Sequence, residues 1–86
     1  MTSSQQGNYR LRADPSPLYL QARRQLLAMI SAGQFQPGAQ LPPEDELARA
    51  LGVSRPTVRE ALALLQIEGI VSRRHGTGNF INHVPP

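Results

Sequence analysis

The sequence predicts a small, mainly α-helical domain that ends in a β-hairpin, with three helices and a two- or three-stranded antiparallel sheet. Apolar residues recur at intervals of three and four in three successive segments, which is the spacing of amphipathic helices. After Gly69 the pattern changes to alternation on either side of a glycine-rich turn, which predicts the hairpin. A chain of 86 residues is long enough for one such domain with a single modest core.

The first helix is predicted to begin at Ser16 and Pro17, because serine is a favoured N-cap and proline is tolerated at the first helical position. Gly33 ends its apolar periodicity. Residues 1–15 are polar and lack periodic apolar residues, so we expect them to form a disordered arm. The expected inward face of the helix consists of Leu18, Ala22, Leu26, Met29 and Ile30.

The second helix is predicted to be short. Two prolines precede the acidic residues 44–46, and acids in a first turn are stabilised by the positive end of the helix dipole. Gly52 ends the helix after about two to three turns. Leu41, just before this helix, could add a third short strand. The expected inward face consists of Leu47, Ala48 and Leu51.

The third helix follows after a turn of only three residues, 52–54, in which Ser54 is the predicted N-cap and Pro56 lies in the first turn. Two helices joined by a tight turn containing glycine form a helix-turn-helix. This helix is expected over about residues 54–68, with Gly69 at its end. Its predicted buried side consists of Val58, Ala61, Leu62, Leu65 and Ile67, and its predicted exposed side carries Arg55, Thr57, Arg59 and Glu60.

The predicted hairpin occupies about residues 70–83 and turns at residues 75–78. Residues 84–86 include two prolines and continue neither strand, so we interpret them as the start of a linker. The folded domain is therefore expected over residues 16–83.

The composition excludes several classes of function. Without cysteine, the chain cannot form disulfides, zinc ribbons or a thiol active site. No segment is apolar enough for a membrane span or a signal peptide, so we expect a cytoplasmic protein. The formal charge is +3 and every cationic side chain is arginine, whose planar guanidinium group suits phosphates and guanine edges.

The candidate site is a surface for duplex DNA. A major groove admits one helix, whose first turns reach the base edges, and Arg55 and Arg59 share a face because they are four residues apart. The hydroxyls of Ser54 and Thr57 suit phosphate oxygens. In the hairpin, glycine lets the backbone approach DNA closely, and basic side chains there would lie along the minor groove. The complete predicted set is Ser54, Arg55, Thr57, Arg59, Arg73, Arg74, His75, Gly76 and Thr77.

Other interpretations are weaker. The two arginines could form a solvated helix face, and acids at a helix start are common without catalysis. His75 and His83 would ligate a metal only if the hairpin register brought them together, and no other ligand type is nearby. Residues 76–78 lack the lysine and helix that follow a nucleotide-binding loop. Tyr19 and Phe35 are expected in the core instead of stacking on bases.

From residue 17 to residue 81 the sequence resembles the N-terminal domain of the GntR family of bacterial regulators. The resemblance is specific because several motifs occur in one order and spacing. They are Pro37-Gly38, residues 41–48 (LPPEDELA), residues 51–62 (LGVSRPTVREAL), residues 68–71 (EGIV) and residues 76–81 (GTGNFI).

The resemblance implies a winged helix-turn-helix that binds a palindromic operator as a homodimer, with no catalysis and no cofactor. It also implies a separate C-terminal domain that binds a metabolite. Matched positions are Ser54, Arg55, Thr57 and Arg59 in the recognition helix and His75 and Gly76 at the wing tip. Many members have serine at the position of Pro43 and a DNA-contacting arginine at the position of Asp45, so specificity here is expected to depend more on Arg55, Arg59 and the wing.

Three points stay open at this stage. A winged helix can also bind a protein partner, but this would require exposed apolar residues on the third helix, whose predicted exposed side carries arginines and threonine instead. The domain could lead a longer chain whose second half is aminotransferase-like. Whether Arg10 and Arg12 of the arm enter a minor groove is also open. Since the family's dimer contacts come largely from the C-terminal half, the 86 residues alone are expected to be mainly monomeric.

Overall fold

The computed structural model describes residues 15–82. The predicted arm before Pro15 and the predicted linker, together with His83, lie outside the described residues. The elements follow one another as helix α1 (Leu18–Ser31), helix α2 (Glu44–Leu51), helix α3 (Arg55–Ile67), strand β1 (Val71–Arg74) and strand β2 (Gly78–Ile81). Three helices followed by an antiparallel hairpin form a winged helix-turn-helix, as predicted.

Helix α1 begins at Leu18, one residue later than predicted, and its N-cap is Pro17 where Ser16 was predicted. Pro17 occupies the N-cap with an extended backbone (ψ 151°), and its carbonyl oxygen accepts hydrogen bonds from the N–H groups of Leu20 and Gln21 at 3.0 and 3.2 Å. Ser16 instead accepts a hydrogen bond at its carbonyl oxygen from the side-chain amide of Gln21 at 2.7 Å. The fixed φ of proline suits the N-cap as well as the first helical position, which is why the start shifts by one residue.

The turn between α2 and α3 has the predicted three residues. Gly52 adopts the left-handed conformation (φ 71°, ψ 32°), which allows the N–H of Val53 to reach back to the carbonyl oxygen of Ala48 at 3.0 Å. Ser54 is the N-cap of α3, and its Oγ accepts a hydrogen bond from the N–H of Thr57 at 3.3 Å. The chain therefore reverses within one turn and α3 starts at a fixed position relative to α2.

One apolar core joins the three helices to the hairpin. The residues of the three helices that were predicted to face inward lie in this core or pack against it, with two exceptions. The largest fully buried side chains are Leu26, Leu47, Val58, Leu62, Leu65, Val71 and Ile81. Phe35 packs against this core as predicted, and Tyr19 is half-buried.

The two corrections concern Leu18 and Ile67, both predicted to be buried. Ile67 is 82% exposed, because at about 100° per residue it lies on the opposite side of α3 from Val58. Leu18 is 57% exposed, because it borders an open groove beside Leu51 and Val53 and is not covered on that side.

The hairpin pairs Val71 with Ile81 and Arg73 with Asn79, in antiparallel register. The predicted third strand is reduced to a single bridge between Gln40 and Phe80, one residue away from the predicted Leu41. Residues 38–41 nevertheless run along β2, with hydrogen bonds of 2.8 Å that include Leu41 N–H to the Asn79 carbonyl oxygen. Prolines at positions 37 and 42 bound this segment and cannot donate to a ladder, which keeps it short.

Two further features of the described chain bear on function. None of the helices between residues 15 and 82 is long and apolar enough to cross a bilayer. Within the same range no three histidine or acidic side chains come together as a metal site.

Core packing gives a direct comparison between two apolar residues of α3. Leu65→Ala should lower the free energy of unfolding by about 2–5 kcal/mol, because it leaves a cavity in the shared core. Ile67→Ala should change it by less than about 0.5 kcal/mol, since that side chain already faces solvent. Urea unfolding followed by circular dichroism measures both values. Equal losses for the two variants would contradict the core described here.

The N-cap of α3 gives a second stability prediction. Ser54→Ala should lower the free energy of unfolding by about 1 kcal/mol, because the N–H of Thr57 loses its acceptor. Ser54→Asn should recover most of that loss, since asparagine also accepts at an N-cap. The same urea titration tests the pair, and an alanine variant as stable as the parent would show that the cap contributes nothing.

Candidate nucleic-acid interface

The first turn of α3 is held in place by its own hydroxyl groups. Ser54 Oγ lies 2.9 Å from Thr57 Oγ1 and also accepts the N–H of Thr57. Arg55 follows the cap immediately and its side chain is exposed. The start of α3 is thus an ordered turn that presents both hydroxyls and a guanidinium group at the surface.

An open groove of about 500 Å³ lies between α3, the hairpin and the segment that leads into α2. We call it the arginine groove. Its walls carry Arg55 and Arg59 from α3 and Arg73 from β1. Thr77 and Glu44 also line it. The structure therefore brings together predicted site residues from the third helix and from the hairpin on one concave surface.

Within the arginine groove, two arginines converge on one carboxylate. Oε1 of Glu44 accepts hydrogen bonds from Nε and Nη2 of Arg59 at 3.2 and 3.1 Å. Its other oxygen lies 3.9 Å from Nη1 of Arg73. The sequence pattern identified Glu44 only as an acid at a helix start, since the pairing joins residues 15 and 29 positions apart and depends on the fold.

The two hairpin arginines lie on opposite faces of the sheet. Successive strand residues point to opposite sides, so Arg73 shares a face with Asn79, whereas Arg74 shares a face with Phe80. The Arg74 guanidinium carbon lies 4.1 Å from the centre of the Phe80 ring, a cation–π contact. Arg73 lines the arginine groove and Arg74 does not.

The tip of the hairpin is closed by a tight turn. The N–H and the hydroxyl of Thr77 both donate to the carbonyl oxygen of Arg74, at 3.0 and 3.3 Å. His75 and Gly76 lie at the exposed tip of this turn. The tip thus presents one imidazole and a stretch of backbone without a bulky side chain.

Two polar contacts that the sequence did not predict attach the hairpin to the rest of the domain. The side-chain amide of Gln40 donates to the carbonyl oxygen of Thr77, and a Cβ at Gly78 would come within 2.8 Å of that amide. The amide of Gln66 on α3 donates to Oδ1 of the buried Asn79 at 2.8 Å. Glycine at position 78, where φ is 116°, therefore serves both the turn and the close approach of Gln40.

Known bacterial proteins resemble this chain over most of its length. The family model described as "Bacterial regulatory proteins, gntR family" matches residues 18–81. The transcriptional repressor NagR of Bacillus subtilis is 44% identical over 68 residues, which cover 79% of this chain and 28% of NagR. The arabinose metabolism transcriptional repressor of Geobacillus stearothermophilus is 39% identical over 70 residues, 81% of this chain and 19% of the repressor. The chain therefore spans less than a third of each of these two relatives.

Solved structures agree in fold. The N-terminal domain of AraR, solved in complex with mutant ORR3, superposes with a TM-score of 0.73 at 32% identity, over 79% of this chain and 97% of that one. The AraR DNA-binding domain in complex with operator ORX1 gives 0.71 at 33% identity, over 77% and 80%. A GntR protein of Streptococcus agalactiae gives 0.70 at 39% identity, over 74% and 31%. Sequence, fold and family model agree that the chain belongs to the GntR family of bacterial regulatory proteins.

Proposed function

We propose that this chain binds double-stranded DNA sequence-specifically, as the operator-reading domain of a transcription regulator. Helix α3 enters the major groove and the hairpin, as the wing, contacts the adjacent minor groove. The observation that carries the proposal is the arginine groove, in which exposed guanidinium groups of α3 and β1 face one concave surface. The AraR DNA-binding domains solved in complex with operators are 33–34% identical to this chain, which supports the same use of the fold here.

The first turns of α3 read bases in this proposal. Arg55 and Arg59 are one helical turn apart, and a guanidinium group can donate two hydrogen bonds to the O6 and N7 atoms of a guanine. Ser54 and Thr57 lie at the helix start, where hydroxyls and N–H groups can contact a phosphate. The arginines thus provide base specificity, and the hydroxyls fix the position of α3 relative to the DNA backbone.

The wing contributes from two sides. His75, Gly76 and Thr77 form its tip, which is slim enough to approach a minor groove. Arg73 faces the arginine groove, so it reaches the DNA backbone between helix and wing. In this proposal Arg74, which stacks on Phe80 on the other face, contacts the flanking phosphates.

Exposed Ile67 on α3 is the kind of residue that a protein-binding winged helix would show. It lies twelve residues after Arg55, which is about 18 Å along the helix axis. Contact with a protein at Ile67 therefore leaves the arginine groove open, and DNA remains the partner that the groove fits.

The assembly is part of the proposal. We infer that the full-length protein acts in the cytoplasm as a homodimer on a palindromic operator, because dimeric binding places two recognition helices one DNA turn apart. A C-terminal domain that binds a small-molecule effector would account for the greater length of NagR and the arabinose repressor. Residues 1–15 as an arm and residues 84–86 as the start of a linker remain predictions within this scheme.

Substituting the arginines of α3 tests the base-reading role. Arg55→Ala and Arg59→Ala should each weaken binding by about 1–3 kcal/mol, because each removes a two-hydrogen-bond contact with a base. The probe is a duplex selected from a randomised pool by the wild-type chain, titrated by fluorescence anisotropy. Arg49→Ala, an exposed arginine outside the groove, is the matched control and should bind nearly as the wild type does. Wild-type affinity in both α3 variants would overturn the assignment of α3.

Salt dependence tests the electrostatic part of the proposal. The logarithm of the binding constant should fall linearly with the logarithm of the salt concentration, with a slope of about −0.9 for each phosphate neutralised. Arg74→Ala should make the slope shallower by about 1 without changing the selected sequence, since it is expected to contact phosphate. An affinity that does not change between 50 and 200 mM salt, roughly the range over which such contacts are lost, would exclude this docking mode.

A further inference from the structure

We propose that Glu44 is a positioning residue for sequence recognition, which holds Arg59 in its base-reading orientation and keeps both Arg59 and Arg73 from binding phosphate indiscriminately. This inference rests on the proposed DNA binding and adds to it a determinant of specificity on α2. It also modifies the expectation that specificity depends mainly on Arg55, Arg59 and the wing, because Glu44 of α2 acts through arginines of the other two elements.

The geometry of the pair determines which donors of Arg59 stay available. A guanidinium group has five N–H donors. Glu44 Oε1 accepts from Nε and Nη2, which form one edge of the guanidinium plane. Both N–H groups of Nη1 and one of Nη2 therefore remain directed away from the carboxylate. This outer end can still make the two parallel hydrogen bonds that a guanine edge accepts.

The Glu44 carboxylate is more buried than the two guanidinium groups that it pairs with. The Glu44 side chain is 22% exposed, whereas the Arg59 and Arg73 side chains are each 59% exposed. Glu44 is the first residue of α2, follows Pro43 at the N-cap, and lies at the positive end of the helix dipole. A half-buried acid between two exposed arginines restricts the rotamers of both before DNA arrives, which lowers the entropy lost on binding.

The negative charge of Glu44 opposes DNA binding in general, so the benefit that we assign to it is specificity. Glu44 repels phosphates and reduces the local positive potential, so it weakens every sequence-independent contact in the arginine groove. Ion pairs between exposed side chains add little to folding stability. The effect of Glu44 should therefore fall on the ratio between specific and non-specific affinity and leave the fold intact.

The chain offers a closely matched control. Glu46 lies in the same first turn of α2 and is exposed, but it is about 200° around the helix from Glu44 and does not line the arginine groove. Glu44→Gln and Glu46→Gln make the same change in charge and in helix-dipole environment. Only the first weakens the acceptor that holds Arg59.

The experiment measures affinity for two duplexes, one selected from a randomised pool by the wild-type chain and one of scrambled sequence. With Glu44→Gln, affinity for the selected duplex should fall and affinity for the scrambled duplex should rise, which reduces their ratio by roughly five- to tenfold. The non-specific salt slope should become steeper by about 1, since a released arginine binds phosphate. With Glu46→Gln the ratio should stay within about twofold of the wild type.

Two further measurements separate positioning from a merely structural role. The NMR resonance of the Arg59 Nε–H group in the free protein should shift with Glu44→Gln and stay unchanged with Glu46→Gln. In an Arg59→Ala background, Glu44→Gln should produce no more than about a twofold further loss of specificity, because the two residues act as one unit.

Four outcomes would contradict either the role of Glu44 or the DNA binding on which it rests. Losses of affinity for both duplexes together with a lower melting temperature would show that Glu44 only supports the fold, and would overturn the proposal. Full additivity with Arg59→Ala would show that Glu44 acts on DNA independently of Arg59, which also overturns it. If the wild-type chain selects no sequence from the pool, the proposed function itself fails. If the wild type discriminates between the two duplexes and Glu44→Gln leaves the ratio of the two affinities unchanged, the positioning role of Glu44 is rejected and the proposed DNA binding stands.

Discussion

The division of α3 into two sides is the constraint on which the rest of the structure depends. Val58, Ala61, Leu62 and Leu65 are buried against α1, α2 and the hairpin, and this burial fixes both the position and the rotation of the helix. Its first turn escapes the core because the N-cap precedes the buried stretch by four residues. Since a helix rotates by about 100° per residue, the same packing that stabilises the domain directs Arg55 and Arg59 outward.

The arginine groove extends this arrangement to elements that are distant in sequence. Helix α2 supplies two acids, Glu44 and Asp45, α3 supplies two arginines, and β1 supplies a third arginine. Each side chain is positioned by the core contacts of its own element, so the groove exists only when all three elements are packed. This explains how 68 described residues without a metal cluster or a disulfide can present a defined polar surface.

Much of the fold follows from local patterns in the sequence. The turn at residues 52–54, the cap at Ser54 and the hairpin depend on neighbouring residues, and these predictions are confirmed. The incorrect predictions concern features that depend on the three-dimensional position of a residue and not on its neighbours in sequence. Ile67 has the right residue type for the core but the wrong rotation, and the flanking prolines limit the third strand to one bridge.

Of the predicted site, the structure brings Arg55, Arg59, Arg73 and Thr77 to one groove, and places Arg74 on the other face of the hairpin. A basic run such as Arg73-Arg74 cannot reveal which of its members faces the helix until the register of the strands is known. The role of Glu44 could not be predicted for a similar reason. Its partners are 15 and 29 residues away, and an acid at a helix start has a sufficient local explanation.

The segment at residues 38–41 holds the hairpin in a fixed position relative to the helices. By lying along β2 and holding Thr77 through Gln40, it ties the hairpin to the approach to α2, and Gln66 ties it to α3 as well. These contacts fix the separation between α3 and the hairpin in the folded domain. In the proposed complex, a duplex whose grooves do not match that separation must bend or change its groove width. The stiffness of the duplex would then contribute to recognition at base pairs that the domain does not touch.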